Sequence, residues 1–508
     1  MNSLQQLTNT ARWLRTRRIF PVCTLLPIVL SACGSTGPQV TTEQGPSPFI
    51  GIVHLNAYDT SALSSVQYTI APKPGTVSKP VHVEYTREAL SARGDLHPDA
   101  LEVPVFGLYA GYENHVSIEL TRQDGSPTEF EVDIPTRVYT DASGIYGNPD
   151  IVTRRAAGSA LGYDFIYIKS SLGAPVIIDT DGEIRWTVTG VSNSSASAFV
   201  GDEFLIGDQM QPTVHRLRLD GTVTESALPS SVYTDFNHNI DPGKLGGLAE
   251  VGASSDGVAS IESNIIEMEN PNRKPTRISN HWDMAAILSA YMTSQGDDAA
   301  AFVRPGVDWF HTNAAVYDPS DDSIIVSSRE HFLIKLDYRT GAIKWILGDP
   351  TKYWYTFPSL RAKALTLVGG GLYPVGQHAA SITPDGLLMI FNDGSGSFNQ
   401  PPGAPSGEWR TYSAVSAYSI DAASMTARNV WNYDAGQAIY SEVCGSAYEQ
   451  PDGSLLVDYA VADDATEALV MGLDSGHNVV FDFQYPTSSC DTSWNARPIP
   501  FDDLAIKR

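Results

Sequence analysis

The sequence is poor in positive charge. Its 508 residues include 33 Lys and Arg against 58 Asp and Glu, which gives a formal net charge of −25 at pH 7. Such a chain repels nucleic-acid phosphates and anionic membrane surfaces, so neither is expected as a partner. An anionic small substrate would need a local cationic pocket that overrides the overall field.

Cysteine is also scarce, with four residues in the whole chain. Cys23 and Cys33 lie near the N-terminus, so Cys444 and Cys490 are the two that remain for the rest of the protein. In an oxidising compartment such a pair is more often bridged than free. The sequence does not show whether the two lie close together, and it leaves the bridge open.

Long apolar runs are absent after the first 33 residues, so no later membrane-crossing segment is expected. Within those residues, four arginines between positions 12 and 18 precede "IFPVCTLLPIVLSA", a run typical of a secretory signal. The segment ends in "LSAC", which resembles the bacterial lipobox with Cys33 as the lipidated residue, and Gly34 favours the outer membrane. We therefore predict a lipoprotein-type signal at 1–33, Sec or Tat export, and a periplasmic protein held to the membrane through its lipid anchor alone.

The next segments predict a polar tether and a small β-sandwich. Residues 34–47 are tether-like in composition, and 48–140 alternate apolar and polar residues with period two, as at Val66, Tyr68 and Ile70. This alternation is typical of an antiparallel sandwich. Four histidines in this region have no acidic or cysteine partners at ligand spacing and are interpreted as surface residues: His54, His82, His97 and His115.

A degenerate repeat follows, and helical periodicity is nearly absent. Each copy has an apolar strand, an acidic residue, a turn and a second strand. The copies lie at 176–186, 217–226, 264–278, 332–345, 417–431 and 469–481. Six copies predict an all-β fold in which residues 150–508 form a six-bladed β-propeller after the sandwich. Two unrelated sandwiches are the alternative.

A second pattern places histidines at equivalent positions in successive blades. His238, His311 and His378 each open a stretch that leads through a Pro/Asp/Gly turn to an apolar run. Inner strands of propeller blades line one channel, so these histidines are expected to face one another. The hairpin "DWFHTNAAVYDPSDDSIIVSSRE" at 308–330 starts with His311 and returns to the same place with Arg329. No carboxylate shares the repeat position and an arginine lies nearby, so we expect no metal but an oxyanion site, because guanidinium and imidazole both donate to oxygen.

Four stretches resemble the bacterial arylsulfate sulfotransferases, which use no nucleotide sulfate donor. They are the 308–330 hairpin, "LDYRTGAIKWILGDP" at 336–350, "GQHAASITPDGLLMIFNDG" at 376–394 and "YSEVCGSAYEQPDGSLL" at 440–456. The resemblance implies an enzyme that moves a sulfuryl group from a phenolic sulfate ester to a phenol, without a cofactor, by a ping-pong mechanism through a sulfohistidine. It is also compatible with a homodimer.

The resemblance and the chemistry of the reaction together assign a role to each candidate residue. His378, in Gln-His-Ala, is implied as the nucleophile and His311 as the acid and base. Arg329 and His238 are implied to hold the sulfuryl oxygens, with Asn313 binding substrate. Chemistry alone agrees, because a neutral imidazole can attack sulfur and split one displacement into two.

Two departures and two alternatives accompany this prediction. The family's Tyr-Ser-Arg segment becomes Tyr412-Ser413-Ala414, and its short cysteine loop has no counterpart. A propeller hydrolase or lactonase with a channel metal is one alternative, although it needs Asp, Glu or Asn at the blade starts. A non-catalytic outer-membrane scaffold lipoprotein is the other, although it gives no reason for a His/Arg channel.

Overall fold

The computed structural model describes residues 39–253, 261–269 and 276–507. The predicted signal peptide and Cys33 lie outside these residues. The first elements are β1 (Gln39–Gln44), β2 (Ile50–Asn56), β3 (Leu63–Ile70), β4 (Val81–Thr86), α1 (Arg87–Arg93), β5 (Ala100–Phe106), β6 (Glu113–Arg122) and β7 (Pro127–Pro135).

These strands form two sheets around a shared core. One has the order β1-β2-β5 and the other contains β4-β3-β6-β7. The predicted alternation is confirmed, because Val66, Tyr68 and Ile70 are buried together with Val116, Ile118 and Leu120. The prediction of a flexible tether is wrong for residues 39–44, because β1 pairs with β2 along its whole length. Backbone pairing orders this segment although its side chains are polar.

The following elements carry the chain through the first half of the repeat region. They are β8 (Asp150–Thr153), β9 (Phe165–Lys169), β10 (Val176–Asp179), β11 (Ile184–Trp186), β12 (Ser197–Val200), β13 (Glu203–Gly207), β14 (Thr213–Arg218), β15 (Val223–Ala227), β16 (Tyr233–Pro242), β17 (Gly246–Ala253), β18 (Asn264–Glu269), β19 (Ile278–Asp283), α2 (Met284–Ser294) and α3 (Ala299–Phe302).

The remaining elements complete the described chain. They are β20 (Thr312–Asp318), β21 (Ser323–Ser328), β22 (Leu333–Asp337), β23 (Ile343–Leu347), a 3-10 turn (Tyr353–Thr356), α4 (Pro358–Arg361), β24 (Thr366–Leu367), β25 (Gln377–Ile382), β26 (Leu388–Asn392), β27 (Ala414–Asp421), β28 (Thr426–Tyr433), a 3-10 turn (Ala435–Gln437), β29 (Ser446–Glu449), β30 (Leu455–Ala462), β31 (Glu467–Leu473), β32 (Val479–Pro486), β33 (Asn495–Pro498) and β34 (Leu504–Ile506).

Beyond the N-terminal sheets, the described residues form six sheets of four or five strands. Their orders are β11-β10-β9-β33, β12-β13-β14-β15, β16-β17-β18-β19, β20-β21-β22-β23, β24-β28-β27-β26-β25 and β29-β30-β31-β32-β8. Each of the six sequence repeats supplies two neighbouring strands of one sheet, such as β22 and β23. The all-β class is confirmed, and the closed six-bladed propeller stays a prediction.

The first and last strands of this region pair with sheets at the opposite end of the sequence. Strand β8 pairs with β32 in the last sheet, and β33 pairs with β9 in the first. One edge strand of each sheet is here called its leading strand, and the leading strands pack against one another. These contacts join β12 to β16, β16 to β20, β20 to β25, β25 to β29 and β29 to β33. Strand β34 then returns to the N-terminal domain and pairs in parallel with β4.

The described helices lie in connections between strands, and none of them is long and apolar enough to cross a membrane. The helices α2 and α3 lie between the third and fourth sheets, and each begins with an aspartate side chain that accepts a backbone N–H. Met284, Leu288 and Met292 bury one face of α2. The segment with α2 and α3 ends shortly before residue 308, where the 308–330 hairpin begins.

Cys444 and Cys490 form a disulfide, with their Cα atoms 6.3 Å apart. The bridge that the sequence left open is therefore present. It joins the segment before β29 to the segment before β33 and packs with Ala460 and Val461.

Replacing both cysteines with serine should lower the free energy of unfolding. The bridge closes a 46-residue separation, and the chain-entropy argument gives a contribution on the order of 4 kcal/mol for such a loop. Urea unfolding of Cys444→Ser/Cys490→Ser against the native protein measures the loss. Reductant should lower the native midpoint and leave the variant unchanged. Equal midpoints without reductant would contradict the expectation.

Candidate active site

The three histidines predicted to face one another do lie together, and we call them the histidine cluster. The ring centroids of His238 and His311 are 4.6 Å apart, and those of His238 and His378 are 6.3 Å apart. His238 lies within β16, His311 immediately precedes β20, and His378 is the second residue of β25. Three successive sheets therefore each contribute one imidazole.

The backbone of all three strands is irregular where the cluster forms. Strand pairing shifts register between residues 236 and 240, 312 and 314, and 378 and 381. His311 and Ala379 have φ of 53° and 47°, in the left-handed region that non-glycine residues rarely adopt. Bulges and residues with positive φ change the direction in which side chains point. Each non-glycine residue with positive φ costs about 1–3 kcal/mol of stability.

The two ends of the 308–330 hairpin meet, as the sequence predicted. The Arg329 backbone N–H donates to the His311 carbonyl oxygen at 3.0 Å. The Arg329 side chain is buried, and its Nη2 donates to Ser395 Oγ at 2.7 Å. Its Nη1 is 3.3 Å from Glu330 Oε1, whereas its buried Nε has no hydrogen-bond partner among the described residues. One guanidinium N–H is thus left without an acceptor in the part of the chain that the structure describes.

His378 is held in one tautomer. Its Nδ1 is 3.0 Å from the Gly376 carbonyl oxygen and 3.0 Å from Asp393 Oδ2. A carbonyl oxygen only accepts, so Nδ1 carries the proton and Nε2 has the lone pair. Burial, followed by the charge of Arg329, lowers the pKa of His378 to about 3, and burial raises the pKa of Asp393 well above its ordinary value. His378 is therefore a neutral imidazole at pH 7.

The other two histidines share a carboxylate. Glu262 Oε2 is 2.8 Å from His238 Nδ1 and 3.2 Å from His311 Nδ1, and Asp308 also bonds to His311 Nδ1. Burial lowers the pKa of His311, but Glu262 and Asp308 outweigh it and raise that pKa to about 9. Burial dominates at His238 and lowers its pKa. At pH 7 His311 is therefore charged, whereas His378 and His238, the ring that contacts both of the others, are neutral.

Asn313 lies against the strand that carries the candidate nucleophile. Its Nδ2 donates to the Gln377 carbonyl oxygen at 2.7 Å, and its buried Oδ1 has no partner in the described part of the chain. One amide N–H is therefore used by the protein. Its role in substrate binding stays a prediction.

The sequence reasoning missed several residues of the site. Asp308 and Asp393 lie inside the quoted 308–330 and 376–394 stretches, so position could have flagged them. Glu262 had no such signal, because it precedes β18 outside every noted motif. Trp494 donates from Nε1 to the His238 carbonyl oxygen at 2.9 Å.

A carboxylate lies beside two of the histidines, although it does not come from the repeat position that the sequence analysis considered. The ligand atoms of His238, Glu262 and His311 all lie within 4.8 Å of one another, and these residue types suit a divalent cation. The charge of Arg329 acts on His311 as well and opposes a cation there. The donor set is therefore compatible with a metal, while the neighbouring arginine favours an anion.

Comparisons with known proteins agree along most of the chain. The family model described as Arylsulfotransferase (ASST) matches residues 154–495, and the Arylsulfotransferase Ig-like domain model matches residues 52–137. The chain is 24% identical to arylsulfate sulfotransferase AssT of Escherichia coli O6:H1, covering 84% of this chain and 85% of that protein. It is 23% identical to the AssT of Lelliottia amnigena with the same coverage.

A solved structure of dihydro-heme d1 dehydrogenase NirN in complex with DHE is also similar. It matches with a TM-score of 0.30 and 12% identity, covering 75% of this chain and 72% of that one. This likeness is too slight to support an argument about the site.

The imidazole of His311 should titrate near pH 9, and Glu262→Gln should lower that midpoint. Removing the carboxylate charge removes much of the attraction that stabilises the imidazolium, while Asp308 keeps part of it. NMR of 15N-labelled histidines against pH measures both. Glu225→Gln, which alters a carboxylate beside His215, is the matched control and should leave His311 unchanged. An unaltered midpoint in Glu262→Gln would contradict the assignment.

Proposed function

Because the chain belongs to the arylsulfotransferase family, we propose that it transfers a sulfuryl group from an aryl sulfate to a phenol, through a sulfohistidine on His378. The family establishes an enzyme of the arylsulfate sulfotransferase kind. The phenolic acceptor, the ping-pong order and the independence of nucleotide sulfate donors are parts of the proposal.

One observation carries the proposal: a neutral imidazole and a charged one share the same buried cluster. His378 presents an unprotonated Nε2 as a nucleophile, and His311 keeps a proton that it can give to a leaving group. These are the two protonation states that attack on sulfur and departure of a phenolate require together. Arg329, with an unpartnered buried Nε–H, supplies the positive charge that a sulfate monoester needs.

In the first step, the His378 Nε2 lone pair forms a bond to sulfur while the bond from sulfur to the aryl oxygen breaks. The departing oxygen takes a proton from the His311 imidazolium, so a neutral phenol leaves. Arg329 and His238 face the sulfuryl oxygens, whose charge is stabilised by groups fixed in place before the reaction. Asp393 Oδ1 accepts a hydrogen bond from the His378 Nδ1–H at 3.1 Å and keeps that ring in position during the attack.

In the second step, an incoming phenol gives its proton to His311 and its oxygen attacks the same sulfur. The N–S bond breaks, and the pair of electrons returns to His378 Nε2. Both histidines regain their starting protonation states, so the cycle needs no further reagent. Since His311 must begin as the acid, transfer should slow as pH rises through about 9.

We also propose that the six sheets close into a six-bladed propeller. The pairwise packing of the leading strands and the two crossed ends, β8 with β32 and β33 with β9, support a ring closed by strands from both ends of the region. The histidine cluster would then lie on the channel axis. We place the protein in the periplasm on an outer-membrane lipid anchor, on the strength of the N-terminal sequence alone.

Mixing the enzyme with 4-nitrophenyl sulfate and no phenol should release a burst of one nitrophenol per site. One SO3 group should remain on the peptide that contains residues 376–393, because attack and release are separate steps. His378→Asn should lose both burst and adduct while keeping the native unfolding midpoint. An adduct on the 308–330 peptide would exchange the roles of His378 and His311.

The same experiment tests a metal-dependent hydrolase, which the His238, Glu262 and His311 ligand set favours. A hydrolase would release nitrophenol continuously without added phenol, and a chelator would stop it. We expect the burst and the phenol-dependent turnover to survive chelation. Loss of both on chelation, restored by zinc, would replace the transferase proposal.

Cys33→Ser should move the protein from the membrane fraction to the soluble periplasmic fraction. The lipid on Cys33 is the anchor that the lipobox-like "LSAC" predicts. Cys23→Ser is the matched control within the same segment and should remain membrane-bound. A membrane-bound Cys33→Ser protein would show that the segment anchors in another way.

A further inference from the structure

The loop of residues 394–410, here called the capping loop, is fixed over the candidate site. Glu330 accepts the backbone N–H groups of Phe398 and Asn399 at 3.0 and 2.8 Å, together with Gln400 Nε2 at 3.1 Å. Asn399 Nδ2 donates in turn to the Asp308 carbonyl oxygen at 2.9 Å. The loop is therefore tied to the neighbours of both Arg329 and His311.

Two large aromatic side chains of the capping loop are nevertheless exposed. Phe398 is 51% exposed and Trp409 is 53% exposed, and no other Phe or Trp among the described residues exceeds the exposure of these two. Their ring centroids are 6.2 Å apart with an interplanar angle of 50°. Trp409 packs so closely on Gly396 that a side chain at that position would clash with the indole.

The exposed ring of Phe398 lies directly on the candidate catalytic arginine. The centre of the Arg329 guanidinium is 3.6 Å from the ring centroid. A cation on one face of a phenyl ring is a favourable contact, and about half of the Phe398 surface remains exposed beside it. The capping loop therefore presents apolar rings beside Arg329. This arrangement is typical of a ligand-binding site, because exposed aromatic surface is commonly a binding surface.

We propose that Phe398 and Trp409 bind the aromatic ring of the substrate, and that they favour fused-ring phenols over phenol itself. This inference rests on the proposed function and identifies the substrate class of the same site. A ring stacked on the exposed surface of Phe398 can extend toward Trp409, and the 50° tilt gives a cleft in which one ring stacks while the other meets an edge. A second fused ring reaches the indole, whereas a single ring contacts Phe398 alone.

The test compares 2-naphthol with phenol as acceptors of the sulfuryl group. The measured quantity is the ratio of their kcat/KM values in the native protein and in Phe398→Leu, Phe398→Ala and Trp409→Ala. Each variant should reduce the ratio by roughly two- to tenfold, the usual range for one aromatic contact. A general disturbance of Arg329 would slow both acceptors equally and leave the ratio unchanged.

Val430→Ala is the matched control, because Val430 is exposed on β28, toward the outer edge of the sheet whose strands β26 and β27 are connected by the capping loop. It should leave the ratio, the unfolding midpoint and the nitrophenol burst at native values. An unchanged ratio in all three aromatic variants, with a native burst, would overturn the inference while leaving the proposed function intact.

Absence of the burst in the native protein would instead count against the proposed function. The inference would then be decided by the dissociation constant of 2-naphthol, measured by calorimetry. That constant should rise by a similar factor in Trp409→Ala and stay unchanged in Val430→Ala. Equal affinities in the two variants would reject the aromatic surface.

Discussion

Glu262 lies between His238 and His311, and the charges of both rings depend on this one carboxylate. Burial acts on both imidazoles in the same direction, against the charged form. His311 has a second carboxylate, from Asp308, and the two carboxylates together reverse the effect of burial there. The difference between an acid and a neutral hydrogen-bonding group thus comes from one additional side chain. Since the sequence places Asp308 three residues before His311, that difference is built into the hairpin itself.

The irregular backbone at the cluster depends on the regular sheets around it. Three bulged strands and the positive φ angles of His311 and Ala379 are unfavourable in isolation. They persist because each strand continues into a paired sheet with buried apolar faces, such as Ile324 to Val326 in β21. The Cys444–Cys490 bridge adds a covalent tie near Trp494, which bonds to the backbone of His238. Stability is therefore concentrated around the site, and the site itself carries the strain.

Much of this arrangement could be predicted from sequence, because it follows from periodicity. Repeats such as 332–345 became paired strands, and equivalent positions brought the three histidines together as expected. The features that do not follow from periodicity were missed in the sequence analysis. Glu262 reaches the cluster from the residues directly before β18, and β34 returns to the N-terminal sheet across the length of the chain. Burial, which is the largest cause of the lowered pKa values of His238 and His378, also has no local signature.

The low pKa of His378 appears at first to oppose its proposed role, since a weakly basic imidazole is a poor nucleophile. The causes of the shift resolve the difficulty. Burial comes first and the charge of Arg329 second, and only the second depends on what occupies the site. A sulfate monoester carries one negative charge and, held by Arg329, offsets the guanidinium that depresses the ring's basicity. The basicity of Nε2 therefore rises when the donor binds. In the free enzyme burial and the same guanidinium keep the ring unprotonated, so that between about pH 3 and pH 9 His378 is neutral while His311 can serve as the acid.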